Sequence, residues 1–507
     1  MANTYEVERS LGGTYSCEAG GEYTLPDYMP EVRRILRVDC DAAMTGQYDR
    51  QDKTEIGGEV RYYLIYLDGE GALASASFDG TFDCSVPGGE GVRMQVHPTV
   101  ENVSCRLGGP RRVSMKANIG LRPVAVASEP YTEPETPEAA GQIEALRRSM
   151  LVGETLMMES GELDLTESVK AEPDSRLLSA DGKVLIREAR PEAGGVRVRG
   201  DLWLSALCTD GEGKPYAVKG KIPIEEFLSD ENVTPAFSAV AWGRCPSLTV
   251  TPATGEGESS LVFDARAVLS CLAVTNETMT PMCDLYATAC PVEVAKRPLT
   301  GRYYPACLQG NYTVDGSAAL SDLGLGEDAA PVDCRGSATV SAGSVNGNEI
   351  TLEGDVRVQG IFSQSGDEPY AGTSFSFPYK IRMNGKEPIP DGANLQWNVL
   401  CVGCHVRCDG QRVTADAELA LTCLATMTDT MQVVSDVTAD PENPYEKHTG
   451  EIIAAYLQNG DSLWSIGRRY HVPLSELREA NALPDEVMET PDAPYHLDGL
   501  TRLMLEY

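Results

Sequence analysis

A chain of 507 residues with 42% hydrophobic content is long enough for three or four packed domains. Its formal net charge of −34, from 42 Lys and Arg against 76 Asp and Glu, repels polyphosphate and anionic lipid, so nucleic acid and membrane surfaces are poor partners. No stretch approaches the roughly 18 apolar residues of a membrane span, and the opening Met1-Ala2-Asn3-Thr4 lacks the basic and apolar runs of a secretory signal. The expectation is a protein held in the cytosol with its 15 cysteines reduced and without a disulfide framework.

In chain order, the first elements are an alternating strand at Gly21–Leu25 and a short helix opening at Pro30, with Glu31 in its first turn and an echo at Pro173. A strand at Val60–Tyr66 follows, running into an Asp68-Gly69 hairpin turn, and then a strand from Arg112. The same landmarks recur twice. Gly21, Gly161 and Gly310 open the first; Gly58, Gly200 and Gly354 the second; Arg112, Ser260 and Arg412 the third. A constant order at a period of roughly 150 residues predicts three homologous, mainly β units of sandwich or barrel type. The boundaries read as 1–128, 138–297 and 298–435, with Pro/Glu-rich linkers at 129–137 and 436–450 and a small α+β module at 451–507. The second linker predicts a flexibly tethered module.

Chemistry-bearing motifs are sparse. Cys401-Val402-Gly403-Cys404-His405, with Cys408 beyond, has metal-ligand or haem-attachment spacing. It falls on a predicted strand, where Cys401 and Cys404 point to opposite faces, so it is read as structural and no metal or cofactor is assigned. The five histidines share no repeat position, and His471 is read as a helix cap. Asp-Gly-Glu-Gly at 68–71 and 210–213 reads as hairpin turns rather than calcium ligands. No phosphate-cradling loop is present, and no enzyme is expected.

The last segment is the most specific. Asn459-Gly460 is a turn pair, and Asp461 or Ser462 can cap a helix starting at Leu463 with Leu463, Ile466 and Tyr470 on one face. Pro473 opens a second helix through Leu474 and Leu477, and Leu500, Leu503 and Leu505 frame a closing strand. Trp464 is read as mainly core. This strand–helix–helix–strand order, with Gly460-Asp461-Ser462-Leu463-Trp464 and Ala480-Asn481, resembles a LysM module. In such modules, the turn and the segment after the second helix form an N-acetylglucosamine groove. The segment from Asn481 to Gly499 is longer than usual and carries Asp485, Glu486, Glu489 and Asp492. The expected contact face therefore comprises Gly460, Asp461, Ser462, Leu463, Trp464, Asn481, Asp485, Glu486, Glu489 and Asp492, on a turn and an acidic loop suited to a protein as well as a sugar.

The element Leu25-Pro26-Asp27-Tyr28-Met29-Pro30-Glu31-Val32-Arg33-Arg34-Ile35-Leu36, followed by repeated β units and a terminal LysM, resembles the SPOCS-domain proteins of endospore formers. The resemblance implies a non-enzymatic coat-assembly scaffold in the mother-cell cytoplasm at the forespore surface. Its LysM would dock a SpoIVA-like coat morphogenetic ATPase. The alternative is a peptidoglycan-binding protein using the same module on glycan; the expected cytosolic residence favours the scaffold.

Overall fold

The computed structural model describes residues 4–506 apart from 11–12, 256–257, 367, 447–451 and 498–499. Asp367, His448, Asp498 and Gly499 thus lie outside the described residues. The fold is mostly β, with two short helices near the C-terminus. No helix among the described residues is long and apolar enough to cross a membrane.

Three antiparallel three-stranded sheets share one design. They are β1 (Arg34–Asp49), β2 (Lys53–Leu67) and β3 (Leu73–Pro87); β4 (Arg176–Glu192), β5 (Gly195–Thr209) and β6 (Pro215–Ser229); and β7 (Ala330–Asn346), β8 (Glu349–Ser363) and β9 (Tyr370–Asn384). Each packs on a second sheet, whose central strands are Arg112–Leu121, Glu258–Met279 and Arg412–Ala439. Alternation drives this. Along β2, Val60, Tyr62, Leu64 and Tyr66 face inward to meet Val113, Met115 and Ala117 of the opposing sheet.

Equivalent positions coincide within the three sheets. Gly58, Gly200 and Gly354 are each the sixth residue of their central strand, opposite Met44, Ile186 and Val340. A bulge follows each of those partners. It swings the carbonyls of Ala43, Leu185 and Thr339 toward the glycine, where a Cβ would collide with them. A second bulge leaves Leu36, Leu178 and Val332 unpaired, and these three pack in one cluster with Ile65, Leu207 and Ile361, the thirteenth residues of β2, β5 and β8.

Buried charges reinforce the junction between sheets. Arg37, 3% exposed, reaches Asp333 Oδ2 at 2.8 Å, and Arg335 meets Asp39 Oδ2 at 3.2 Å and Ser179 Oγ at 3.2 Å. At a second junction, fully buried Arg302 donates to Thr155 Oγ1 at 2.9 Å, which in turn donates to Glu8 Oε2 at 2.6 Å.

Four sequence expectations change. The helix at Pro30 does not form, and the chain enters β1 at Arg34; the echo at Pro173 likewise leads into β4 at Arg176. Asp27, Tyr28 and Met29 form a turn instead, closed by Met29 N–H on Pro26 O at 3.0 Å. Proline could open a helix at 30, but Arg33 N–H bonds to Leu67 O at 2.9 Å and Arg34 onward pairs with β2, so strand pairing overrides the local preference. Residues 129–132 and 436–439, read as linker, are paired strand. The first landmark is out of register: Leu25, Ala171 and Leu320 make the same bond, to the carbonyls of Arg111, Ser259 and Gln411, yet Leu163 and Tyr312 stand eight residues before it and Tyr23 only two. An even slip keeps the same face inward, so alternation alone could not fix it. Finally, a bulge between Cys401 and Gly403 puts Cys401 opposite Leu419 and Cys404 opposite Ala417. Both thiols therefore lie on one face, beside Gly336, rather than on opposite faces.

With both thiols on one face, metal binding turns on their protonation rather than on their direction. Among the described residues no group of three or more His, Cys, Asp or Glu side chains is arranged to hold a metal ion. Burial pushes the Cys404 thiol up to about 12 and raises Cys401, which disfavours the thiolate a metal needs. Elemental analysis of purified protein is expected to find well under one zinc or iron per chain. Stoichiometric metal lost on Cys404→Ser would contradict this.

Candidate binding site

The terminal module pairs Ile452–Tyr456 with Arg502–Glu506 and places helices α1 (Leu463–Tyr470) and α2 (Leu474–Ala480) between them. The local chemistry follows the sequence. Gly460 takes a φ of +89° in the turn, a conformation that suits glycine. Ser465 N–H donates to Ser462 Oγ at 3.2 Å and Ser462 N–H to Ser465 Oγ at 2.9 Å, a reciprocal box that closes the start of α1. His471 ends the helix in the left-handed region. Leu503 and Leu505 lie in the closing strand and are buried, whereas Leu500 precedes it and is exposed.

The proposed contact residues divide by what they already hold. Gly460 is exposed. The Asp461 carboxylate accepts from Gln458 N–H at 2.8 Å and Arg469 Nη2 at 2.7 Å. Burial opposes its ionisation, but these partners outweigh it and hold its pKa below the ordinary value. Ser462 and Leu463 are buried, and Trp464 is 6% exposed. Asn481 braces α2 against the closing strand, donating to Leu477 O at 2.9 Å and accepting from Met504 N–H at 2.6 Å. Trp464 N–H donates to Pro491 O at 2.8 Å, which draws the end of the acidic loop over the first turn of α1.

The acidic loop is partly folded. Asp485–Met488 is a 3-10 turn that buries Val487. Asp485 pairs with Arg478 and Asp492 with Arg148, while Glu486 and Glu489 are exposed and make no ion pair among the described residues. Of the four acids, two are thus free.

Expected to swing on a tether, the module instead packs on the strands Ile143–Arg147 and Met282–Ala287. Tyr286 stacks edge-on against Trp464 with ring centroids 5.0 Å apart and donates its hydroxyl to Val472 O at 2.8 Å. Arg468 Nη1 reaches Asp284 Oδ2 at 2.7 Å, and Tyr445 stacks on His471. Leu146 and Tyr286 belong to the module's own apolar cluster. No sequence signal marked Leu146, Asp284 or Tyr286, which lie far from the module along the chain.

Residues 457–487 match the LysM domain. LysM domains commonly bind peptidoglycan, so this match makes a peptidoglycan partner possible for the module. No curated protein and no solved structure matches the chain. The LysM match spans the turn at Gly460, both helices and the first acidic residues after α2; Glu489 and Asp492 fall beyond it.

Proposed function

We propose that the chain is a non-catalytic scaffold of the endospore envelope, similar in architecture to SipL, whose LysM domain docks a SpoIVA-like coat morphogenetic ATPase. The observation that carries this reading is the exposed pair Glu486 and Glu489 on a module held against the β body, since Trp464 and Asn481 are engaged within the fold. Free carboxylates on an exposed loop favour a basic patch on a protein over a neutral sugar. The order of a SPOCS-like first element, repeated β units and a terminal LysM domain supports the same reading. The second reading, binding of peptidoglycan or N-acetylglucosamine, is favoured by the LysM match itself.

Replacing Asp485, Glu486 and Glu489 with Asn and Gln, while keeping Asp492 on Arg148, is expected to weaken recruitment to the forespore at least several-fold. The melting temperature should hardly move, because exposed loop charges contribute little to stability. Added salt should mimic the substitution by screening the same charges. Recruitment that is unchanged by both treatments would remove the acidic face from the account.

A further inference from the structure

A cavity of about 410 Å³ lies where the three β units meet, away from the LysM domain. One side is formed around Arg122 and His97, another around Trp242, and the third around Gln396 and Trp397. The volume is in the range of small-molecule sites. Its chemistry is unlike the rest of the surface. In a chain of net charge −34, no Asp or Glu is among the residues that line it. The Arg122 guanidinium stands 6.0 Å from the centre of the Trp397 ring and has no carboxylate partner among the described residues.

The walls are aromatic and hold uncommitted polar groups. Trp242 lies against His97, with ring centroids 6.5 Å apart. Burial, helped by the Arg244 charge, pushes His97 down to about 4, so the imidazole is neutral at physiological pH and adds no competing charge. Gln95 Oε1, Gln396 Oε1 and Trp397 Nε1 are buried without a hydrogen-bond partner among the described residues. Such groups are rare in a finished core, and of the three Trp397 Nε1 is the donor, the kind of group an anion accepts from.

We propose that this cavity is a binding site for a small aromatic carboxylate, its ring against the Trp242 and Trp397 indoles and its anionic group on Arg122. An unpartnered guanidinium in an acid-free setting selects an anion, and it offers a planar fork that matches a carboxylate. Two indoles in the walls favour a flat apolar body. The assignment is independent of the LysM domain and of its partner.

Isothermal titration of the full-length protein with 2-naphthoate tests it, with neutral 2-naphthamide as the uncharged counterpart. The expected result is saturable one-to-one binding of the carboxylate, weakened at least tenfold by Arg122→Gln and only partly restored by Arg122→Lys, which returns the charge without the fork. The amide should bind the wild-type and Arg122→Gln proteins alike. Trp397→Phe, which keeps a ring in the wall, should weaken both ligands. Absence of saturable binding to the wild-type protein would overturn the proposal. So would carboxylate binding that Arg122→Gln leaves unchanged.

Discussion

Gly354→Ala is expected to lower stability by about 3 kcal/mol, a large effect for the addition of one methyl group. In the middle of a strand, alanine ordinarily gains roughly 0.5–1 kcal/mol over glycine by restricting the unfolded chain, so local propensity predicts the opposite sign. The bulge after Val340 reverses it, because Thr339 O occupies the space a Cβ would need and backbone cannot rotate away as a side chain can. Gly200 meets Leu185 O in the same way, and Gly58 meets Ala43 O at 2.6 Å together with the Phe82 ring. Gly57→Ala is the control: its nearest neighbour would be Asp83 Oδ1 at 3.5 Å, an ordinary contact. Denaturant unfolding should rank the Gly354 variant well below wild type and leave the Gly57 variant at or above it. Equal stability of the two would dissolve the link between glycine and bulge.

Trp464→Ala is expected to cost about 3–5 kcal/mol within the LysM domain, enough to unfold a module with so small a core. Tyr286→Ala removes the opposing ring and the hydroxyl bonded to Val472 O, yet leaves the module's own side chains and backbone pairing in place. It should therefore release a folded LysM domain from the β body. Limited proteolysis separates the two outcomes. The tyrosine variant should be cut near 440–446 to give a resistant C-terminal fragment, and the tryptophan variant should lose that fragment. A tyrosine variant as resistant as wild type in the connecting segment would show that the seat contributes little.

The parts of the fold that could be read from sequence are those fixed by neighbours along the chain. Asp68 and Asp210 each accept two backbone N–H groups through Oδ1, and Gly71 and Gly213 take positive φ, so both Asp-Gly-Glu-Gly segments are the hairpin turns they were expected to be. A cap at Asp461 or Ser462 and a helix end at His471 were legible for the same reason, and the structure places the cap on Ser462 and His471 in the left-handed region. Features set by distant partners were not. The bulge that brings Cys401 and Cys404 to one face depends on pairing with Leu419 and Ala417, and period-two alternation carries no trace of it. The candidate site shows the same division. Residue types around Gly460 pointed to the module, but Tyr286, Asp284 and Arg148 enter only through tertiary packing.

The most direct test of the proposed function sets the full-length chain against its two classes of partner in parallel. Co-sedimentation with purified peptidoglycan and retention on an immobilised SpoIVA-like coat ATPase are measured at the same salt concentration. The account predicts saturable retention on the ATPase that falls with added salt, and a chain that stays in the supernatant with peptidoglycan. Saturable pelleting with peptidoglycan that N-acetylglucosamine oligomers compete away, without retention on the ATPase, would contradict it.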